Sequence, residues 1–185
     1  METATATATP QRAPNTAATT AAAVLTAASI FTTTLTLNTP PTHAVSGGGL
    51  DYAGTTISNQ DFSNSKSYKG KDFTQVIAQA TNFANSNLQG CRFYKAFLVD
   101  TNFESADLRG AALEDTSMDG ANLKNVLANG AYFGASLFDV KTAEGADFTD
   151  ASIPPKTLAR LCDREDVKGT NPVTGVDTRD SLMCL

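Results

Sequence analysis

Every fifth residue from Phe83 to Phe138 is Leu, Phe or Met, with Ala128 the one exception. The residue two before each is small or β-branched, from Thr81, Ser86 and Cys91 through Ala131 and Ser136. A period of five fits neither the 3.6 of a helix nor the 2 of an ordinary strand, so the chain has to wind a repeated unit. Written in fives, the segment reads TNFAN, SNLQG, CRFYK, AFLVD, TNFES, ADLRG, AALED, TSMDG, ANLKN, VLANG, AYFGA, SLFDV. The third position carries the bulk, the first is small, and the other three are mostly polar or Gly. That is an inside, outside, inside, outside, outside order. Two large residues in ten cannot make the apolar stripe of an amphipathic helix.

ADLRG at 106–110 and ANLKN at 121–125 meet the consensus A(D/N)LXX almost literally, and here the chain resembles the pentapeptide repeat family. The resemblance implies an all-β solenoid, a right-handed quadrilateral β-helix in which four repeats make one square coil. Residues twenty apart then stack in columns, Phe83 under Phe103 under Leu123, and Phe93 under Leu113, Phe133 and Ile153. Coils should lie about 4.8 Å apart, the spacing of hydrogen-bonded strands. About five coils are expected, irregular at both ends. Upstream, Phe73 and Tyr68 keep the phase, but Lys71 and Lys66 occupy their inward small positions, which a closed interior rejects. Phe62, Ile57 and Tyr52 are spaced by five yet one residue out of phase, so a bulge is expected between Phe62 and Tyr68. Downstream, Lys141 and Ala143 interrupt the pattern before Ala146, Phe148, Ala151 and Ile153 resume it.

An uncovered last coil would expose apolar columns and unpaired backbone. After Ile153 come Pro154 and Pro155, then KTLARLC with Leu158 and Leu161 three apart and Ser152 as a possible N-cap region, which reads as a short α-helical cap. GTNPVTG beyond it is turn chemistry. Cys91 sits at an inward position and reads as a small buried residue. Cys162 and Cys184 bracket the tail; if oxidised, their loop of about 22 residues contributes about 3 kcal/mol, and the alternative is two unpaired thiols. A metal site there is disfavoured, because no His or further Cys lies near.

Residues 1–20 are rich in Thr, Ala and Pro, and Ala21–Leu37 is a moderately apolar run followed by NTPPTHA, with Thr42 and Ala44 small ahead of a cleavage point. Seventeen residues with five Thr are short for a membrane span, although a retained anchor or a disordered tail would leave the same pattern. The expected organisation is a cleavable targeting region over 1–44, the β-helix over 45–153, and a C-terminal helical cap and tail over 154–185. The stretch from Cys162 to Cys184, with TNPVTGVDTRDSL inside it, resembles the end of thylakoid lumenal pentapeptide repeat proteins of plants and algae. That resemblance implies a disulfide between Cys162 and Cys184 and a location in the thylakoid lumen of the chloroplast. No Arg-Arg pair precedes Ala21, so a twin-arginine route is not supported.

The net charge is −5 and stays so without residues 1–44, which hold one base, Arg12, and one acid, Glu2. An acidic balance argues against a nucleic-acid groove. The single histidine, His43, falls in the expected leader, which removes Ser-His-Asp and Cys-His catalysis from the mature chain. Asp107, Glu114, Asp115, Asp119, Asp139, Asp147 and Asp150 read as outward, solvated groups rather than an acid and base pair. Asp115, Asp119 and Asp139 could hold calcium, Asp119 and Asp139 being twenty apart, but no calcium-loop signature supports it. GGGL at 47–50 lacks the Lys and helix of a phosphate loop. Thus no catalytic, cofactor-binding or metal residue is expected, and no cofactor.

Two functions compete. One is a noncatalytic lumenal interaction, assembly or auxiliary factor without an integral membrane span, docking on a protein partner such as a photosynthetic membrane complex. Arg92, Lys95 and Arg109 on one side, and Glu114, Asp115 and Asp119 on another, would supply polar surface. A redox-responsive Cys162–Cys184 pair is a variant of it. The other is a DNA-mimicking, gyrase-binding protein with a spaced acidic face, which a leader and a tail disulfide disfavour.

Overall fold

A computed structural model describes residues 52–184. The expected targeting region, 1–44, lies outside the described residues. From Tyr52 onward the chain climbs in square coils joined by parallel bridges. Asn82↔Asn102↔Asn122↔Thr142 and Asn87↔Asp107↔Leu127↔Asp147 are spaced by twenty, as the repeat requires. Most bridges are single residues; only β1 (Ala112–Leu113) and β2 (Tyr132–Phe133) extend to two, paired in parallel with Ala112 opposite Tyr132.

Strands this short follow from a turn in every repeat. In most repeats the amide of the first position donates back to the carbonyl of the preceding third position, as Ser86 does to Phe83 at 3.2 Å and Ala111 to Leu108 at 2.9 Å. The fifth residue of the repeat takes positive φ, from Gly90 at 62° and Gly110 at 65° to Asn85 at 56° and Asp115 at 54°. Gly, Asn and Asp tolerate that left-handed region best, which is the physical reason they recur there.

Third-position side chains fill the interior. Tyr52, Phe73 and Phe93 stack nearly parallel with ring centroids 4.8 Å apart at each step, matching the rise of a strand ladder. Phe62, Phe83 and Phe103 form a second column at 5.3 and 5.5 Å. Burying each such side chain contributes roughly 1.5–3 kcal/mol. First positions are buried with them, and where they carry a hydroxyl it is satisfied: Thr81 Oγ1 donates to Ile57 O and Thr101 Oγ1 to Ala78 O, both at 2.8 Å.

The structure departs from the sequence expectations at three places, the two inward lysines, Phe138 and Ser152. The extra residue expected between Phe62 and Tyr68 is taken up in the ladder, where Thr56↔Ile77 and Asp61↔Asn82 are spaced by 21. Lys66 sits exposed in a bend and Lys71 is half-buried, so neither charge enters the core. At the last repeat, Phe138 is not the inward residue. A 3₁₀ helix, Ala135–Asp139, rotates the chain by one position, so Leu137 is fully buried and Phe138 turns out to lie under the Arg160 guanidinium. Finally, Ser152 stays in the ladder opposite Tyr132. Helix α1 (Pro155–Cys162) instead begins with Pro154 at its N-cap and Pro155 in its first turn, burying Thr157 and Leu161.

Candidate functional site

The final coil has no successor, so its edge groups need other partners. The tail supplies them individually. Ala143 N–H donates to Asp166 Oδ2 at 3.1 Å, Gly145 N–H to Lys168 O at 2.9 Å, and Phe148 N–H to Ser181 Oγ at 3.0 Å. Arg164 donates to the carbonyls of Phe138 at 2.6 Å and Val140 at 3.0 Å, which anchors the end of the 3₁₀ helix. Asn171, 1% exposed, sends Nδ2 into the coil edge, donating to Gly145 O at 2.8 Å, Val126 O at 3.2 Å and Asn125 O at 3.3 Å. Its Oδ1 accepts the amides of Val173 and Thr174, so the same residue makes the turn and plugs the edge.

Helix α2 (Thr178–Ser181) follows, capped by Asp177, whose side chain accepts from Arg179 N–H at 2.8 Å. It brings Cys184 within bonding distance of Cys162, with their Cα atoms 5.4 Å apart, inside the usual disulfide span. Cys91 is buried elsewhere and its Sγ donates to Tyr68 O at 2.9 Å. Burial pushes its thiol up to about 11, against hydrogen bonds from the Lys71 and Gly70 amides, so thiolate chemistry is suppressed at neutral pH.

The charged residues do not sort into a basic side and an acidic side. Arg92 pairs with Asp72 at 3.2 Å, and Arg109 clasps Asp107 at 2.6 Å. Lys95 shares a corner column with Glu114, its amide donating to Glu114 O. Lys124 reaches Glu144 at 3.9 Å. Burial works to raise the Asp107 carboxyl, but hydrogen bonds from Arg109 and Gln89 outweigh it and hold the group below the ordinary range. Asp119 and Asp139 do fall in one corner column, with Gly120 N–H donating to Asp139 O. Asp115 belongs to the corner of Lys95 and Glu114, so the three are not brought together. Among the described residues, no group of three or more His, Cys, Asp or Glu is placed to hold a metal ion. Asp147 is the carboxylate that the outward reading misplaces, since the tail buries it to 1% exposure.

One face differs in kind. Ile77 and Phe97 are bridge partners on adjacent coils and are 43% and 54% exposed, with Tyr94 exposed at the neighbouring corner. Their second-position places in an outward register make the exposure legible in the sequence once the phase is known.

Square coils of twenty residues, single-residue parallel bridges and a turn in every repeat define a quadrilateral β-helix closed by a tail at its C-terminal end. The family model described as pentapeptide repeats matches in eight copies, over residues 72–104, 86–125 and 98–134. A pentapeptide repeat protein of the Arabidopsis thaliana thylakoid lumen, known from its crystal structure, is 31% identical, with a TM-score of 0.66, covering 75% of this chain and 97% of that one. The chain belongs to the pentapeptide repeat family, whose fold is the right-handed quadrilateral β-helix. A stretch of 41 residues is 56% identical to the chloroplastic thylakoid lumenal protein TL20.3 of Arabidopsis thaliana; it amounts to 22% of this chain and 14% of that relative's length. Kinship with these two proteins places the protein in the thylakoid lumen. A pentapeptide repeat protein from Nostoc PCC 7120 is also similar, at 21% identity and a TM-score of 0.48 over 56% of this chain and 84% of that one. Among the described residues, no helix is long and apolar enough to cross a membrane.

Proposed function

We propose that the protein is a noncatalytic docking module of the thylakoid lumen that presents a rigid face of its β-helix to a protein partner. The observation that carries this reading is the exposed pair Ile77 and Phe97. A soluble solenoid has no packing reason to put two large apolar side chains side by side on an outward column, and such patches mark contact surfaces. The scaffold suits the task. Its inward positions are consumed by packing, and Asp72, Asp107 and Asp166 are engaged with Arg92, Arg109 and Arg164. In this reading residues 1–44 are the targeting region removed on import, and Cys162–Cys184 is a structural disulfide that holds α2 against α1 and keeps the coil edge covered.

The test is affinity capture from thylakoid membranes with the parent protein and with Ile77→Glu and Phe97→Glu. A partner retained by the parent and lost from both variants, with thermal stability unchanged, supports the reading. Equal capture by all three, or capture that follows only salt concentration, removes this face as the docking surface.

A further inference from the structure

The side of the β-helix that carries Ile77 and Phe97 does not end with them. The bridge ladder runs on from Phe97 to Ser117, and the 3₁₀ helix Ala135–Asp139 lies over that step. The Ser136 hydroxyl is 3.5 Å from that of Thr116, and Gly120 N–H donates to Asp139 O. Phe138 therefore stands on the same side, three coils above Ile77, about 14 Å along the column at the rise of a strand ladder. It carries a cation. The Arg160 guanidinium carbon is 3.3 Å from the Phe138 ring centroid, too close for an edge-on approach, so the group lies flat on the ring.

A guanidinium stacked in this way keeps its N–H groups, which point outward in its own plane. Among the described residues every other arginine has an oxygen partner. Arg92, Arg109 and Arg164 have Asp72, Asp107 and Asp166, and Arg179 donates to Cys162 O at 2.9 Å. Arg160 is exposed and in none of the described ion pairs, and Asp163, three residues on, does not pair with it. Lys156, one turn earlier on α1, is likewise exposed and unpaired among the described residues. The flank beside Phe97 has the opposite sign: Asp100, Asp119 and Asp139 rise in one corner column, with Asp100 N–H donating to Asp119 O and Gly120 N–H to Asp139 O. A partner carboxylate is repelled along that edge and received only by the fork of Arg160. The net charge of −5 opposes approach to an anionic lipid surface, so a protein carboxylate, whose two oxygens match the fork, is the fitting source.

We propose that the occupant of this face is a protein segment that lays apolar side chains on Ile77 and Phe97 and gives one carboxylate to Arg160, an assignment that rests on the docking reading above and adds the partner's chemistry to it. Four extended residues span about 13 Å, so the probe is a labelled peptide containing Leu-Ser-Leu-Ser-Glu, compared with its Gln counterpart. Fluorescence anisotropy against the oxidised full chain should show saturable binding of the Glu peptide and about fivefold weaker binding of the Gln peptide. Arg160→Ala should bring the two to the same affinity, and Arg160→Lys should recover only part of the preference, because an ammonium has no fork. Ile77→Glu and Phe97→Glu should lose both peptides. Equal binding of the two peptides by the parent, or a preference that survives Arg160→Ala, overturns the proposal but leaves the apolar face standing. Binding unchanged in Ile77→Glu and Phe97→Glu overturns both, and so does the absence of saturable binding by either peptide. Binding to phosphatidylglycerol vesicles that is lost in Arg160→Ala, without a preference between the peptides, assigns the cation to a membrane and overturns the proposal as well.

Discussion

Replacing Asn171 by Ala should detach the tail from the coil it covers. The three carbonyls that Asn171 Nδ2 reaches are not equivalent. Val126 O also accepts the Asp147 amide at 2.9 Å, while Gly145 O and Asn125 O receive only Asn171. Truncation therefore strands two edge carbonyls at about 1–3 kcal/mol each, and removes the acceptor that holds the Val173 and Thr174 amides. A loss of roughly 2–6 kcal/mol follows for the tail and last coil. Because a solenoid couples mainly to its nearest neighbour, the damage should stay local. Hydrogen exchange should accelerate at Gly145, Gly175 and Thr178 while amides such as Phe83 and Phe103 remain protected. Asn171→Asp should be worse at neutral pH, since it turns a carboxylate toward three carbonyl oxygens. Its folded-state carboxyl would be raised above the unfolded value, so the variant should regain stability as pH falls and the group protonates to become a donor. Guanidinium unfolding and exchange mass spectrometry read both effects. An Asn171→Ala protein within about 0.5 kcal/mol of the parent, or an Asn171→Asp protein no worse than Asn171→Ala, would refute the plug.

Phe93→Ala should cost about 3–5 kcal/mol in denaturant unfolding, as it opens a column between Phe73 and Leu113 and removes ring contacts to Phe73, Phe83 and Phe103; a cost under about 1.5 kcal/mol would mean the coils collapse around the gap. Cys184→Ser, or reduction of the parent, should lower stability by about 3 kcal/mol with most of the β-helix exchange protection retained, and an unchanged midpoint would show the bond does not form. Burial works to raise the Asp166 carboxyl, but the Arg164 guanidinium and the Ala143 amide outweigh it and lower the net value. A carboxyl depressed in the folded state contributes stability above its unfolded value near 3.8 that is lost as pH falls through the folded one. The parent should therefore be flat from pH 7 to about 5 and weaken below about 4, and Asp166→Asn should show a shallower acid decline; identical slopes would remove Asp166 from the linkage.

The repeat carried most of the fold on its surface. A phase of five prescribes which residue faces inward, and the family resemblance, with four repeats per coil, adds the twenty-residue columns, so Phe83 stacks on Phe103 as expected and Phe73 joins Phe93 in the column below Leu113. The extra residue near Tyr68 was readable too, as a phase slip, though its consequence was not. A ladder tolerates a one-residue change of register because each bridge is a single residue, so the expected extra residue is absorbed without a break. Phe138 misled because Phe is the bulkier residue at the phased position; the 3₁₀ helix that puts Leu137 inside instead is held by Arg164, more than twenty residues away, and no local pattern announces that contact.

Periodicity is a local property repeated, and it determined by itself that the chain winds a repeated unit and which positions face inward and outward, while the square β-helix came through the resemblance to the pentapeptide repeat family. The tail has no period. What it touches depends on which carbonyls and amides the last coil leaves unpaired, and only the folded coil sets those. Asn171 as a plug, the burial of Asp147 beneath the Thr174 loop, and the approach of Cys184 to Cys162 are therefore decisions of the tertiary structure. They are contacts between distant segments, made because an open edge of hydrogen-bonding groups must be satisfied by whatever chain is tethered nearby.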